Sequence, residues 1–340
     1  MLWIAFHSID CGAREQIELA AVPSVSPDGN RIVFVWRRDL WLASIEGGEA
    51  QQLTRHPAEE HWPSWSPNGE EIAFSSKRNA YWNVYRMSVK GGEPKQFTDH
   101  SEGYVPLEWF PNGENMLVQA VRDHGGFASE RLFMVDVDGK SPDHLLFDAY
   151  AREGTVSPDG TKILFVREGK NLLYRKGYRG PKASQIWLYD LVAKKFESIL
   201  LDDTGNRTPM WKPDGTGFYF VGAKSGSLNL WERDLKSGKM TQRTFFEDDS
   251  VILPRISRNG KTIVFRHQFH FYRFHPETEE PPQKINLWSD ADAERKVGRR
   301  RWYDSTWNNE ATQGLAWTDD YLEMAFSAGG DLWVMDTVLR

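Results

Sequence analysis

Alternating apolar residues recur along the chain at a fixed distance after a polar turn. Apolar side chains stand three and five residues past the end of each turn, a spacing that places both on one face of a β-strand. The pairs are Ile32/Phe34, Ile72/Phe74, Met116/Val118, Ile163/Phe165, Phe218/Phe220, Ile263/Phe265 and Met324/Phe326. A second mark, an apolar–aromatic pair such as Leu40-Trp41 or Leu332-Trp333, identifies the next strand of each repeat. Each repeat therefore predicts successive strands that face a core.

The turn before these strands is itself repeated. Its copies are Ser26-Pro27-Asp28-Gly29, Ser66-Pro67-Asn68-Gly69, Phe110-Pro111-Asn112-Gly113, Ser157-Pro158-Asp159-Gly160, Lys212-Pro213-Asp214-Gly215, Ser257-Arg258-Asn259-Gly260 and a degenerate Thr318-Asp319-Asp320-Tyr321. Proline presets φ, the Asp or Asn side chain caps the local backbone, and glycine takes the left-handed position. A residue that recurs in every turn is predicted to be structural rather than catalytic. Four antiparallel strands per repeat predict an all-β fold, a β-propeller with six four-stranded blades and part of a further blade.

One irregular interval predicts the domain organisation. The step from Tyr272 to Tyr321 is 49 residues, whereas the equivalent steps elsewhere are 27 to 29 residues. We therefore expect an N-terminal segment at 1–21, a six-bladed propeller at 22–288, a linker at 289–313, and the first, incomplete blade of a second propeller at 314–340. The alternative places all seven repeats in one ring, with Leu2–Ile9 supplying the missing outer strand.

The insertions in the repeats all fall between the second and third strands, which brings them to one face of the propeller. Repeat proteins commonly carry their binding residues on such a face. The longest insertion, 167–184, has six Lys or Arg residues against one acid, Glu168. We predict a site for carboxylates or for an acidic partner there, and a solvated loop remains the alternative. The predicted cationic contacts are Arg175, Lys176, Arg179 and Lys182, and the predicted aromatic anchors are Tyr174 and Tyr178.

Composition narrows the classes of function. A formal net charge of −6 and a pI near 5.9 argue against nucleic-acid binding. No apolar run is long enough to span a bilayer, so we expect a soluble protein of the cytoplasm or periplasm. His267, His270 and His275 cluster around a strand, but their spacing does not favour a shared ion, and no metal or cofactor is predicted. No nucleophile, zinc or nucleotide-binding motif is present, and no catalytic residue is predicted.

The blade signature Pro-Ser-x-Ser-Pro-Asp-Gly, followed by the apolar pairs, Leu-Trp and Gly-Gly-Glu, resembles the repeats of TolB-like propellers. The order of six blades, a linker and a new blade further resembles the N-terminal part of tricorn-type proteases. That resemblance implies a non-catalytic propeller that gates or guides peptides toward a C-terminal serine protease region outside this chain. The implied partners are peptides or unfolded polypeptide, the downstream protease domains and other copies in a homo-oligomer.

Two other functions stay open at this stage. The chain fits a stand-alone TolB-like periplasmic scaffold for protein interactions, or the propeller of a prolyl-oligopeptidase-type hydrolase. In each case the isolated chain is predicted to have no peptidase activity, because it carries no recognisable catalytic residues.

Overall fold

The computed structural model describes residues 14–122, 129–169, 178–278 and 280–290, and the backbone of three later strands at 313–317, 323–328 and 331–336. Every regular element in these residues is a β-strand. None of them forms a helix long and apolar enough to cross a membrane. The chain divides into two compact units, Met1–Ala291 and Asp292–Arg340, which are described separately.

The first unit contains six four-stranded antiparallel sheets, and within each sheet the strands pair in chain order. Sheet 1 consists of β2 (Ala21–Val25), β3 (Arg31–Trp36), β4 (Asp39–Ser44) and β6 (Gln51–Gln52). Sheet 2 consists of β7 (Glu60–Trp65), β8 (Glu71–Asn79), β9 (Tyr81–Ser88) and β10 (Lys95–Gln96). Sheet 3 consists of β11 (Val105–Trp109), β12 (Asn115–Ala120), β13 (Arg131–Asp136) and β14 (His144–Leu145).

The remaining three sheets repeat this arrangement. Sheet 4 consists of β15 (Arg152–Val156), β16 (Lys162–Arg167), β17 (Gln185–Asp190) and β18 (Lys195–Leu200). Sheet 5 consists of β19 (Asn206–Trp211), β20 (Gly217–Gly222), β21 (Asn229–Asp234) and β22 (Met240–Gln242). Sheet 6 consists of β23 (Ile252–Ile256), β24 (Ile263–His267), β25 (His270–Phe274) and β26 (Gln283–Lys284). Repeated four-stranded antiparallel sheets are typical of propeller blades, as the sequence predicts.

A small additional sheet joins the two ends of this unit. In it β27 (Leu287–Ser289) pairs antiparallel with β1 (Glu15–Gln16) and parallel with β5 (Gly48–Glu49). The amide of Ile17 donates to the carbonyl of Leu287 at 2.9 Å, which extends the antiparallel pairing. The strand β27, which follows sheet 6, is thus hydrogen-bonded to β1, which precedes the first repeat, and to β5, which lies within it.

The second unit contains one antiparallel sheet. Its strands are β28 (Gln313–Trp317), β29 (Glu323–Ala328) and β30 (Asp331–Asp336), paired in chain order. These are the strands on either side of the degenerate seventh turn. The N-terminal stretch Leu2–Ile9, considered above as an outer strand, lies outside the described residues.

The repeated turn has the hydrogen bonds expected from its residue types. In sheet 1 the hydroxyl of Ser26 accepts the amide of Arg31 at 2.9 Å, and Asp28 accepts the amide of Asn30 at 3.2 Å. Gly29 has φ of 81°, a left-handed conformation that glycine adopts without steric cost. Ser66, Ser157 and Ser257 accept the corresponding amides in sheets 2, 4 and 6. The structural role predicted for the turn serines is confirmed.

The cores lie between neighbouring sheets, and both faces of each second strand are buried. Ile32 and Phe34 of β3 belong to the cluster shared with sheet 6, whereas Val33 and Val35 belong to the cluster shared with sheet 2. The sequence pattern predicts only one buried face, because the alternating pair of apolar residues, such as Ile32 and Phe34, lies on one side of the strand. The second face is buried because another sheet packs on it. Each of the six clusters joins two successive sheets, and one of them joins sheet 6 to sheet 1.

Two details concern the segments between second and third strands. The long insertions do fall there, between β12 and β13 and between β16 and β17, as predicted. The placement of His267 and His270 on one strand is wrong, because His267 ends β24 and His270 begins β25, where the two residues pair directly. His267 stacks on Phe246 with ring centroids 4.0 Å apart. Among the described residues, no group of three His, Cys, Asp or Glu side chains could hold a metal ion.

Candidate functional site

The structure places the predicted loop residues only in part. Tyr174, Arg175 and Lys176 lie outside the described residues. Arg179 and Lys182 are exposed, and Tyr178 is partly buried. The guanidinium Nη1 of Arg179 is 3.2 Å from Oδ1 of Asp203, in a pair whose side chains are 64% and 55% exposed. The loop is thus described only in part, and a more completely described group of charged residues lies elsewhere.

A cavity of about 680 Å³ is lined by the first strands of all six sheets. The residue two positions before the first residue of each turn contributes to the lining in every sheet. These residues are Ser24, Ser64, Glu108, Thr155, Met210 and Arg255. The equivalent residue of each of the six repeats therefore lines the same cavity, so the six first strands surround it together.

A bulge in the first strands directs further side chains toward this cavity. The pairing between first and second strands shifts register in every sheet, for example between Arg152 and Thr155 in sheet 4. Four of the cavity-lining residues at the bulges have φ between 48° and 55°, namely Trp62, Glu153, Thr208 and Leu253. Bulky and β-branched residues rarely adopt positive φ, and such conformations are retained where the surroundings fix them. The bulge re-aims these side chains, as bulges commonly do near functional sites.

Charge is distributed unevenly around the cavity. Sheets 1 and 2 line it with serine, proline, valine and tryptophan only. All of its charged residues come from sheets 3 to 6 and the segments beside them. They are Glu108, Glu130, Arg152, Glu153, Arg207, Arg255 and Arg258. The part of the wall formed by two of the six sheets is therefore neutral, and the part formed by the other four is a charged arc.

Glu153 is the centre of the charged arc. Its Oε1 lies 2.9 Å from Nη2 of Arg207 and 3.1 Å from Nη2 of Arg152. Its Oε2 accepts the backbone amide of Thr208 at 2.9 Å and the Thr208 hydroxyl at 3.1 Å. Burial opposes ionisation of Glu153, but the positive charges of Arg207 and Arg152 outweigh it and hold its pKa below the usual value. Glu153 is therefore a carboxylate that two arginines share.

The arginines around Glu153 retain unused hydrogen-bond donors. Arg152 is only 6% exposed, yet its Nε and Nη1 have no hydrogen-bond partner, and the same is true of Nε of Arg207. The nearest further acid is Glu130, whose Oε2 is 3.8 Å from Nε of Arg152. Unpaired buried donors of this kind are costly, so they indicate a place where a ligand or water completes the contacts.

Arg255 and Glu108 face the same cavity. Nη1 of Arg255 donates to the carbonyl of Pro254 at 3.0 Å, and within the described ranges no carboxylate lies within 4 Å of its guanidinium. Burial lowers the pKa of Arg255, although the charges of Glu108 and Glu153 oppose this shift. Glu108 accepts the Thr155 hydroxyl at 2.6 Å and the Val156 amide at 2.9 Å, and burial raises its pKa. The charged arc contains four arginines and three glutamates, and burial disfavours ionisation of Glu108. The arc therefore carries an excess of positive charge.

The sequence analysis did not identify this site. Its signal was nevertheless present in the aligned repeats. At the two positions that begin the bulge, most repeats carry apolar or aromatic residues, whereas the fourth repeat has Arg152-Glu153 and the fifth has Arg207. A charged pair at a position that is apolar in sister repeats indicates a local role that the fold itself does not require.

Comparison with known proteins gives a consistent result. A family model described as the tricorn protease N-terminal beta propeller domain matches residues 18–280. The tricorn protease of Thermoplasma acidophilum is 24% identical over 287 residues, which cover 75% of this chain and 24% of that protein. A crystal structure of the tricorn protease superposes with a TM-score of 0.66 at 21% identity, covering 94% of this chain and 30% of that one. A putative TolB from Agrobacterium tumefaciens superposes with a TM-score of 0.55 at 20% identity, covering 66% and 80% of the two chains.

Proposed function

The chain belongs to the family of tricorn protease N-terminal β-propeller domains, and from this premise we propose that it guides peptides toward the protease region of a tricorn-like serine protease. The chain spans about a quarter of the Thermoplasma relative's length. The observation that supports a guiding role is the central cavity. It is bounded by all six first strands and offers a neutral wall and a larger charged wall to an extended polypeptide.

We further propose that the six sheets form one complete propeller. Two contacts support direct packing of sheet 6 on sheet 1. The side-chain amide of Asn259 donates to the carbonyl of Asp28 at 2.8 Å, and the rings of Phe34 and Phe271 meet edge to face at 5.4 Å. Surfaces in direct contact favour a ring of six sheets over a ring of seven. The strands β28, β29 and β30 are accordingly proposed to begin a second propeller after a linker.

The insertion loop keeps its predicted role as part of the proposal. Arg175, Lys176, Arg179 and Lys182, with Tyr174 and Tyr178, would contact an acidic partner or a peptide carboxylate at the rim of the propeller. Loop residues on a propeller face are well placed to meet a chain before it enters the centre. The rim and the cavity are separate contributions, and the experiment below separates them.

Peptide binding to the purified chain tests the proposal. A fluorescent twelve-residue peptide of mixed sequence, blocked at both ends, is titrated with protein and followed by anisotropy. Leu253→Trp narrows the cavity at a bulge position where sheet 2 already carries Trp62 in the same left-handed conformation, with φ of 49° and 55°. We expect this variant to weaken binding at least about tenfold, a loss of about 1.4 kcal/mol.

Two further variants act as controls. Ser88→Trp introduces the same indole side chain at an exposed residue outside the cavity lining, and binding should stay unchanged. Replacement of Arg175, Lys176, Arg179 and Lys182 by Ala reports the contribution of the rim loop. Undiminished binding by Leu253→Trp would refute passage through the cavity. Absence of binding by the unaltered protein would favour a protein-interaction scaffold instead.

A further inference from the structure

We infer that Arg152, Arg207 and Arg255 form a carboxylate-binding site in the wall of the cavity, which selects polypeptides that carry an acidic group. This inference rests on the proposed peptide-guiding function and adds a preference to it. The recognised chemistry is a carboxylate, supplied either by an Asp or Glu side chain or by a free chain end. The site is distinct from the insertion loop, because its three arginines stand on the first strands β15, β19 and β23.

The geometry around Glu153 provides the first argument. Arg152 and Arg207 both direct Nη2 at a single oxygen of Glu153, at 3.1 Å and 2.9 Å. One carboxylate cannot satisfy two guanidinium groups, which together carry ten N–H donors. Nη1 of Arg152 and Nε of both arginines are left without a partner, although both side chains are less than a tenth exposed. A second carboxylate at this point would accept the donors that Glu153 leaves free.

The balance of charge provides the second argument. Arg255 has no carboxylate within 4 Å in the described part of the chain and donates only to a backbone carbonyl, that of Pro254. Glu108, whose charge acts on Arg255, is already engaged by two donors of sheet 4. Glu130 is shared with the hydroxyl of Tyr150 at 3.5 Å. The acids of the arc are therefore committed to the protein, and the cation of Arg255 is available to a ligand.

The surroundings of the arc explain why the preference should be strong enough to measure. Hydrogen bonds between ionised groups are about twice as strong as neutral ones, and they gain further strength away from bulk water. The neutral wall of the cavity, formed by sheets 1 and 2 and including Trp62 and Ser64, presents no competing charge. A peptide in the cavity can thus place apolar groups against sheets 1 and 2 and an acidic group against sheets 4 to 6.

Three labelled peptides of one sequence test the inference on the full chain. The first has a central Gln and blocked ends, the second has Glu in its place, and the third has Gln and a free C-terminal carboxylate. We expect the Glu peptide to bind about tenfold more tightly than the Gln peptide, the gain from about one charge-assisted hydrogen bond. A similar gain for the third peptide would support the same site and assign the chain end as a second source of the carboxylate.

Arg255→Gln is the informative variant, because removing this side chain leaves no buried acid without its partner. Its affinity ratio between the Glu peptide and the Gln peptide should fall to about onefold. Arg255→Lys retains the charge and should keep part of the preference. Arg179→Gln, on the exposed loop, is the matched control and should keep all of it.

The outcomes separate this inference from the function on which it rests. Equal binding of the Glu, Gln and free-end peptides by the unaltered protein would overturn the carboxylate site and leave the guiding function standing. Failure of all three peptides to bind would refute the guiding function itself. A preference for Glu that persists in Arg255→Gln and disappears in Arg179→Gln would move the site to the insertion loop and overturn the inference.

Discussion

Replacement of Glu153 by alanine should strongly destabilise the first unit, because it leaves two buried cations without their shared acceptor. The side chains of Arg152 and Arg207 are 7% and 8% exposed, and that of Glu153 is 18% exposed. Breaking a buried pair by removing one partner costs about 3–5 kcal/mol, most of it from the uncompensated charge. The two contacts to Thr208 are lost as well. We expect a loss near the middle of that range, about 4 kcal/mol.

Urea unfolding followed by tryptophan fluorescence measures this loss. With a slope of about 3 kcal/mol/M, a 4 kcal/mol change lowers the midpoint by about 1.3 M. Asp203→Ala is the control, because it removes the acid of an exposed pair with Arg179 and should cost no more than about 1 kcal/mol. The double variant Glu153→Ala/Arg207→Met should recover part of the stability, since it also removes one orphaned cation. A midpoint within 0.3 M of the unaltered protein for Glu153→Ala, about 1 kcal/mol at that slope, would refute the argument.

Two further predictions concern pH and the contacts between sheets. Burial raises the pKa of Glu108 above its unfolded value of 4.5, so the folded state holds the extra proton and stability falls as pH rises through the window above 4.5. The thermal unfolding midpoint of Glu108→Gln should lose this pH dependence and should be higher than that of the unaltered protein at pH 7. Midpoints that change with pH in the same way for both proteins would contradict the prediction. Trp109→Phe removes the indole donor to the Ser64 carbonyl (3.2 Å) and should cost about 1–3 kcal/mol in the same urea assay. Trp187→Phe loses a hydrogen bond to Gln185 in its own strand and should cost less.

The sequence was sufficient for the parts of the fold that depend on local chemistry. Ser26, Asp28 and Gly29 make their hydrogen bonds within one turn, so their roles can be predicted from residue type and order alone. The spacing of Ile32 and Phe34 likewise identifies a strand without knowledge of its neighbours. Both faces of that strand are buried, however, and the second face depends on a neighbouring sheet that the pattern of one repeat does not contain.

The candidate site depends on contacts that no local pattern encodes. Arg152 and Glu153 are adjacent in sequence, but Arg207 reaches them from the next sheet, and Arg255 comes from the last. Their meeting point exists only when the six first strands gather around one cavity. The cluster of Lys and Arg in the insertion loop was conspicuous in the sequence because its charges are contiguous. Contiguous charge is easy to find, whereas a site assembled from single residues of several repeats requires the repeats to be compared position by position.

The small sheet of β1, β5 and β27 has a consequence for how the chain is made. Its outer strands are synthesised early, but β27 emerges roughly 240 residues after β5. At about 5–20 residues per second, translation leaves the edges at Glu15 and Glu49 without their partner for about 12–50 s. Unpaired strand edges can pair with other chains and aggregate. Pairing of strands so far apart in sequence is slow, because the intervening chain must first close into a loop. The nascent first repeat is therefore the part of this molecule that most needs protection on the ribosome.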